Sequence, residues 1–158
     1  WNDESVYEDF DKRSILQNCF MLTGATVVRR EALLEAGGVD VALQAIDHDM
    51  WIRLSELGDF AVIPEPLFGY RQHPGQISPR RKQWEDGFAI MRKTAGRGFY
   101  SPGEIRRRKA VLHYRLAQHD LATRRYLSLA GHCLAAVACD PQRAFSQAWR
   151  FLLRKLRG

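Results

Sequence analysis

The chain has 158 residues, of which 46% are hydrophobic and 27% are charged, a composition typical of a globular domain and not of a disordered or fibrous chain. Its longest apolar run, residues 133–139, falls far short of the roughly 20 residues that a membrane-spanning helix needs. The 3 cysteines contain no CxxC pair, which argues against a disulfide framework or a zinc knuckle. We therefore expect a cytoplasmic protein with reduced thiols. Because its first residue is Trp1, we expect a piece of a longer protein.

The net charge of +6 hides a strong asymmetry along the chain. Residues 1–79 carry 6 basic and 13 acidic side chains, whereas residues 80–158 carry 18 basic and 5 acidic ones. A basic half of this kind suits an anionic partner such as nucleic acid, anionic lipid or a phosphorylated substrate. The alternative is that these charges only solvate helix surfaces.

The first half of the chain mixes strand and helix signals after an acidic opening segment. Apolar and partly β-branched runs predict four strands: residues 15–21, 25–28, 60–63 and 67–71. Helical spacing of apolar residues predicts helices over 30–36 and 47–57. Gly37 and Gly38 are expected to end the first of these helices, because glycine adopts the left-handed conformation of a helix C-terminus at no cost.

The second half shows no further strand signal and four helical ones. These helices are expected over residues 81–94, 102–118, 120–138 and from 140 onward. Ser101, Pro102 and Glu104 form the sequence of a capping box with proline at the first helical position. The sequence therefore predicts an α/β half over residues 1–80, followed by a basic helical half over residues 81–158.

Polar groups that could carry chemistry cluster at two places in the first half. Asp47 and Asp49 stand at the start of a helix, where one carboxylate could act as a general base or both could simply cap the helix. Asp49 is also expected to pair with Arg53, four residues later. Arg71 and His73 follow a predicted strand, where a guanidinium could bind phosphate and an imidazole could bind a metal. A histidine beside Pro74 is also a common turn residue.

The order of four short motifs resembles the C-terminal part of a family 2 glycosyltransferase, over about residues 15–80. In chain order the motifs are Gly-Gly-Val-Asp at 37–40, Asp-His-Asp-Met-Trp-Ile-Arg-Leu at 47–54, Ile-Pro-Glu-Pro-Leu at 63–67, and Tyr-Arg-Gln-His-Pro-Gly-Gln-Ile-Ser at 70–78. The resemblance implies the C-terminal half of a GT-A fold, of the α/β class, followed by a helical extension. Residues 1–80 would form the acceptor side of the glycosyltransferase domain, and residues 81–158 the extension.

The resemblance also implies a function and a set of site residues. The reaction would be an inverting transfer of sugar from a nucleotide diphosphate sugar to an acceptor hydroxyl, in the synthesis of cell-surface polysaccharide or lipopolysaccharide. Asp47 matches the catalytic base, and Asp49 and Trp51 match positions that support the acceptor or the helix start. Arg71 is implied in binding the diphosphate, and His73 in binding a divalent metal, Mg²⁺ or Mn²⁺.

This chain departs from the family pattern in two ways. Ile46 stands where the family usually has a glutamate before the base, which puts any supporting role of that glutamate in doubt. The donor-binding half with its Asp-x-Asp metal motif has no counterpart, since Asp9 and Asp11 have the right spacing but no apolar strand precedes them. We therefore expect the 158 residues alone to be inactive.

The basic C-terminal segment leaves two interpretations open. Residues 140–158 could form an amphipathic helix on the inner face of the membrane, which would suit a glycan or lipid-linked acceptor. They could instead pack on a neighbouring helix with their arginines in water. The alternative to an enzyme is a basic helical module that binds nucleic acid or protein and carries a non-catalytic enzyme remnant. Nucleic acid is the less favoured partner, because no recognition motif is present.

Overall fold

The computed structural model describes residues 12–19, 21–63, 65–71 and 81–146. Helices account for 69% of this part of the chain, and no strand forms within it. Its α-helices are α1 (Lys12–Gln17), α2 (Arg30–Glu35), α3 (Ile46–Leu57), α4 (Arg81–Arg97), α5 (Pro102–Ala122) and α6 (Tyr126–Cys139). A short 3₁₀ turn spans Thr23–Ala25, and residues 141–146 are again helical.

The prediction of an α/β fold with half of a GT-A sheet is wrong, because helices are the only regular secondary structure among the described residues and no sheet forms there. The run that begins at Ile15 forms α1 instead of a strand, and both Ile15 and Leu16 are buried. A helix turns about 100° per residue, so these neighbouring side chains both reach the core beside α3 and α5. The run around Val27 stays outside regular structure, and Val27 is 99% exposed. A strand needs a neighbouring strand for its N–H and C=O groups, and none pairs with this run among the described residues.

The helix stop predicted at the glycine pair is confirmed. Gly37 and Gly38 follow α2 with φ angles of 86° and 70°, the region where a side chain would be strained. The Gly37 N–H donates to the carbonyl of Leu34 at 3.0 Å, and the Gly38 N–H donates to that of Leu33 at 2.9 Å. The turn therefore satisfies two carbonyls that the helix end would leave unpaired.

The capping box at the start of α5 is also confirmed. The Ser101 N–H donates to the Glu104 carboxylate at 2.8 Å, and the Glu104 N–H donates to the Ser101 hydroxyl at 3.3 Å. The end of this helix lies beyond its predicted position, because Asp120 is fully buried inside α5 and pairs with Arg81 of α4. Asp120 therefore does not start a new helix, and the chain turns at Arg124, which has a φ of 59°.

One hydrophobic core joins both halves of the sequence. Trp51 and Ile52 of α3 share it with Ile90 and Met91 of α4 and with Leu112 of α5, and all five are at most 1% exposed. The core therefore places the start of α3, which carries the candidate site, against the basic helices. The division into two domains at residue 80 stays a prediction.

The contact between α4 and α5 predicts a sharp difference between two glycine substitutions. A Cβ atom at Gly87 would lie 2.6 Å from Cδ2 of the buried Leu112, whereas one at Gly96 would meet nothing within 4 Å. We expect Gly87→Ala to lower the free energy of unfolding by about 1–3 kcal/mol through overpacking. Gly96→Ala should be neutral or raise it by up to about 1 kcal/mol, because alanine favours the helix. Urea denaturation of both variants checks this, and equal midpoints would contradict the packing of α4 on α5.

Candidate functional site

Asp47 lies in the first turn of α3 with its side chain partly exposed. Its Oδ1 atom accepts a hydrogen bond from the backbone N–H of His48 at 2.8 Å. The free N–H groups and the positive end of the helix dipole favour a carboxylate at this position. No lysine or arginine in the described part of the chain forms an ion pair with Asp47. This carboxylate is therefore partly accessible from solvent and is not held by a cation among the described residues.

Asp49, two residues later, is buried and has a structural role. Its side chain is 1% exposed, and its Oδ2 atom lies 2.9 Å from Nε and 2.8 Å from Nη2 of Arg53. The same guanidinium donates to the carbonyls of Ala36 and Gly38, the latter at 2.8 Å. The structure thus confirms the Asp49–Arg53 pair that the four-residue spacing predicts. It also shows that this pair ties α3 to the turn after α2.

Trp51 belongs to the core and not to the exposed side of α3. Its side chain is 1% exposed, and its ring meets that of Phe60 edge to face, with 6.4 Å between ring centroids. Its Nε1–H is buried and lacks a hydrogen-bond partner among the described residues. Because its ring is buried, Trp51 could support an acceptor only through neighbouring residues and not by direct contact.

The other two predicted site residues follow α3 in the chain. Arg71 is exposed at the end of an irregular segment. His73, the predicted metal ligand, lies outside the described residues. Within those residues, no group of three or more histidine, cysteine, aspartate or glutamate side chains is arranged to hold a metal ion.

The buried His48 and the partly buried Arg108 form a polar pair that was not predicted from the sequence. The imidazole Nε2 lies 2.9 Å from the carbonyl of Ile15, so Nε2 carries the proton and donates it. The other nitrogen, Nδ1, then accepts from Nη2 of Arg108 at 3.4 Å. Burial, reinforced by the charge of Arg108, lowers the pKa of His48 to about 3. His48 is therefore a neutral structural residue and not an acid–base group near neutral pH.

Arg108 brings a partly buried positive charge from α5 to the start of α3. Its Nη1 donates to the carbonyl of Gln17 at 2.5 Å, and its Nε is buried without a partner among the described residues. Burial lowers the pKa of Arg108 to about 10. Arg108 stands at helical spacing from the buried Ile105 and Leu112. An arginine within an apolar stripe is the sequence signal that could have identified it.

Cys19 completes this group of residues, which we call the Asp47 cluster: Asp47, His48, Cys19 and Arg108. Burial raises the pKa of the Cys19 thiol to about 12, with the negative charge of Asp47 adding to the rise and Arg108 opposing it. Both charged groups are therefore within electrostatic reach of the thiol. A protonated, buried thiol is a poor nucleophile, so the chemically available group in the Asp47 cluster is the Asp47 carboxylate.

Comparison with known proteins found no relative of this chain. No protein-family model, no curated protein and no solved structure matches the chain. The assignment of a function therefore depends on the motifs of the sequence and on the geometry of the Asp47 cluster.

Proposed function

We propose that this chain is part of an inverting glycosyltransferase in which Asp47 is the catalytic base. The observation that carries the proposal is the contrast between two carboxylates in one helical turn. Asp49 is buried and bound by Arg53, whereas Asp47 is partly exposed and has no cationic partner among the described residues. A general base needs access to the acceptor and a lone pair that is not already engaged. Asp47 meets both requirements, whereas Asp49 is buried away from any acceptor and its Oδ2 atom is held by Arg53.

In the proposed reaction, Asp47 and Arg71 are the residues of this chain that act on the reactants. The acceptor hydroxyl gives its proton to Asp47 while its oxygen forms a bond to the anomeric carbon of the donor sugar. The bond from that carbon to the nucleotide diphosphate breaks on the opposite side, and the diphosphate leaves with the electron pair. The His48 N–H donates a hydrogen bond to Oδ1 and so fixes the orientation of the carboxylate. Oδ2 is therefore the oxygen that would accept the proton. Arg71 would stabilise the charge of the departing diphosphate.

The described residues do not by themselves make the divalent metal site that the resemblance implies. Within those residues, no group of three or more histidine, cysteine, aspartate or glutamate side chains is arranged to hold a metal ion, and His73 lies outside them. The proposed partners are a nucleotide diphosphate sugar and a glycan or lipid-linked acceptor.

Calorimetric titration of the natural protein that carries this chain tests the proposed ligand class. We expect a nucleotide diphosphate sugar to bind, and Arg71→Ala to weaken that binding by about 2 kcal/mol, or roughly 30-fold, through loss of a charge-assisted contact. Arg92→Ala, which removes an exposed arginine of α4, is the matched control and should leave binding unchanged.

The same titration separates an enzyme from a nucleic-acid module. A module driven by the basic half would bind duplex DNA, with an affinity that falls steeply as salt rises. Binding to DNA without any affinity for nucleotide sugars would refute the proposed function.

A further inference from the structure

Helix α6 presents an uncharged apolar face to the solvent. The segment Tyr126–Cys139 contains no lysine, arginine, aspartate or glutamate. Leu127 is 94% exposed, Leu134 is 73% exposed and Val137 is 40% exposed. Phe145, in the helical residues that follow, is 70% exposed. Single exposed leucines are common, but a continuous row of this kind marks an interaction surface.

The geometry of α6 shows that this row is one face of the helix. Residues 127, 134 and 137 are separated by seven and three positions, which places them on the same side. The side that includes Ala136 packs against α5, to which α6 makes its main contacts. We call the exposed row of Leu127, Leu134 and Val137 the α6 stripe; Phe145 lies beyond the break in the helix at Asp140. Because the opposite side of α6 is covered by α5, the stripe is available for another surface.

The charges at the ends of the α6 stripe indicate what that surface is. Arg124 and Arg125 are exposed immediately before α6, and Arg143 is partly exposed after it. Residues 121–139 contain no acidic side chain, and Asp140, the C-cap of α6, accepts a hydrogen bond from the backbone N–H of Arg143 at 3.1 Å. An apolar row with a basic N-terminal end is complementary to a bilayer with anionic headgroups, where apolar side chains enter the interface and arginines meet phosphates.

The length of α6 is consistent with a helix that lies on a membrane. No helix in the described part of the chain is long and apolar enough to cross a bilayer. A helix of 14 residues is about 21 Å long, and it can lie flat with one face immersed. We propose that the α6 stripe docks the protein on an anionic membrane surface, with Arg124, Arg125 and Arg143 on lipid phosphates. This inference goes beyond the proposed glycosyl transfer and does not depend on it.

Sedimentation of the full chain with lipid vesicles tests the docking surface. We expect binding to vesicles of phosphatidylcholine with phosphatidylglycerol and little binding to phosphatidylcholine alone. The double variant L127E/L134E should bind at least about tenfold more weakly, because two leucines no longer enter the interface. The matched control V27E/V41E changes two valines that are 99% and 91% exposed outside α6, and it should bind like the wild type. Both variants should keep the wild-type melting curve.

Four results would overturn the inference. The first is that the wild-type protein does not bind anionic vesicles. The second is that the stripe variant binds them as well as the control variant does. Light scattering that shows the stripe variant converting a dimer to a monomer, without vesicle binding by either form, would assign the stripe to a second copy. A chain truncated after residue 146 should still bind, and loss of binding only on truncation would assign the contact to residues 147–158.

Discussion

Replacing Asp47 with asparagine is expected to lower the turnover of sugar transfer by about 100-fold or more and to leave stability nearly unchanged. General base catalysis typically contributes at least this factor, and an asparagine cannot take the proton. Asparagine does keep the side-chain oxygen that accepts the His48 N–H, and it caps helices about as well as aspartate. Turnover is measured in the natural protein that carries this chain, and the free energy of unfolding by denaturant titration. Near-normal turnover of Asp47→Asn would refute the assignment of the base.

Asp49→Asn is the matched comparison and should lower stability while leaving turnover largely unchanged. Its partner Arg53 is 15% exposed and also holds the turn after α2. Removing one member of a buried ion pair leaves the other charge uncompensated, which costs about 3 kcal/mol. We expect this loss in the free energy of unfolding, with turnover largely retained at temperatures where the variant is folded. Equal losses of activity in both variants would mean that the two carboxylates act together.

Features fixed by a few neighbouring residues were predictable from the sequence. The glycine pair after α2 and the capping box before α5 were found because their hydrogen bonds join residues only three to five positions apart. The strands were mispredicted for the opposite reason. A β-branched run such as the one around Val27 needs a partner distant in sequence, and its composition does not reveal whether that partner is present.

In the candidate site, too, contacts between neighbouring residues were predictable and contacts distant in sequence were not. The sequence identified Asp47 and Asp49 and their place at a helix start, together with the local pair between Asp49 and Arg53. It could not decide which carboxylate was buried, because that depends on how α3 packs against other helices. It also missed the contact between His48 and Arg108, which are 60 positions apart.

The burial of His48 predicts a marked loss of stability in mild acid. Its pKa of about 3 in the folded protein lies below the ordinary value of 6.5. As the pH falls below 6.5, the unfolded chain binds a proton that the folded chain excludes, so stability present at neutral pH is lost. The loss approaches about 1.4 kcal/mol per pH unit and sums to about 2 kcal/mol between pH 6.5 and 4.5, because the unfolded histidine is only half protonated at pH 6.5. His113 acts in the same direction, because burial, His132 and Lys109 lower its pKa.

Denaturant titrations across this pH window isolate the contribution of His48. His48→Gln keeps an N–H group that can donate to the Ile15 carbonyl, as Nε2 does at 2.9 Å, but it cannot take up a proton. Its free energy of unfolding should therefore fall much less steeply with decreasing pH, whereas His113→Gln should remove a smaller part of the slope. Asp40, Glu104 and Asp120, whose pKa values are lowered in the folded protein, add to the loss mainly below about pH 4.5, where the unfolded chain takes up protons at these carboxylates. If His48→Gln and the wild type lost stability at the same rate, His48 would be protonated in the folded protein, and its buried pairing with Arg108 would be wrong.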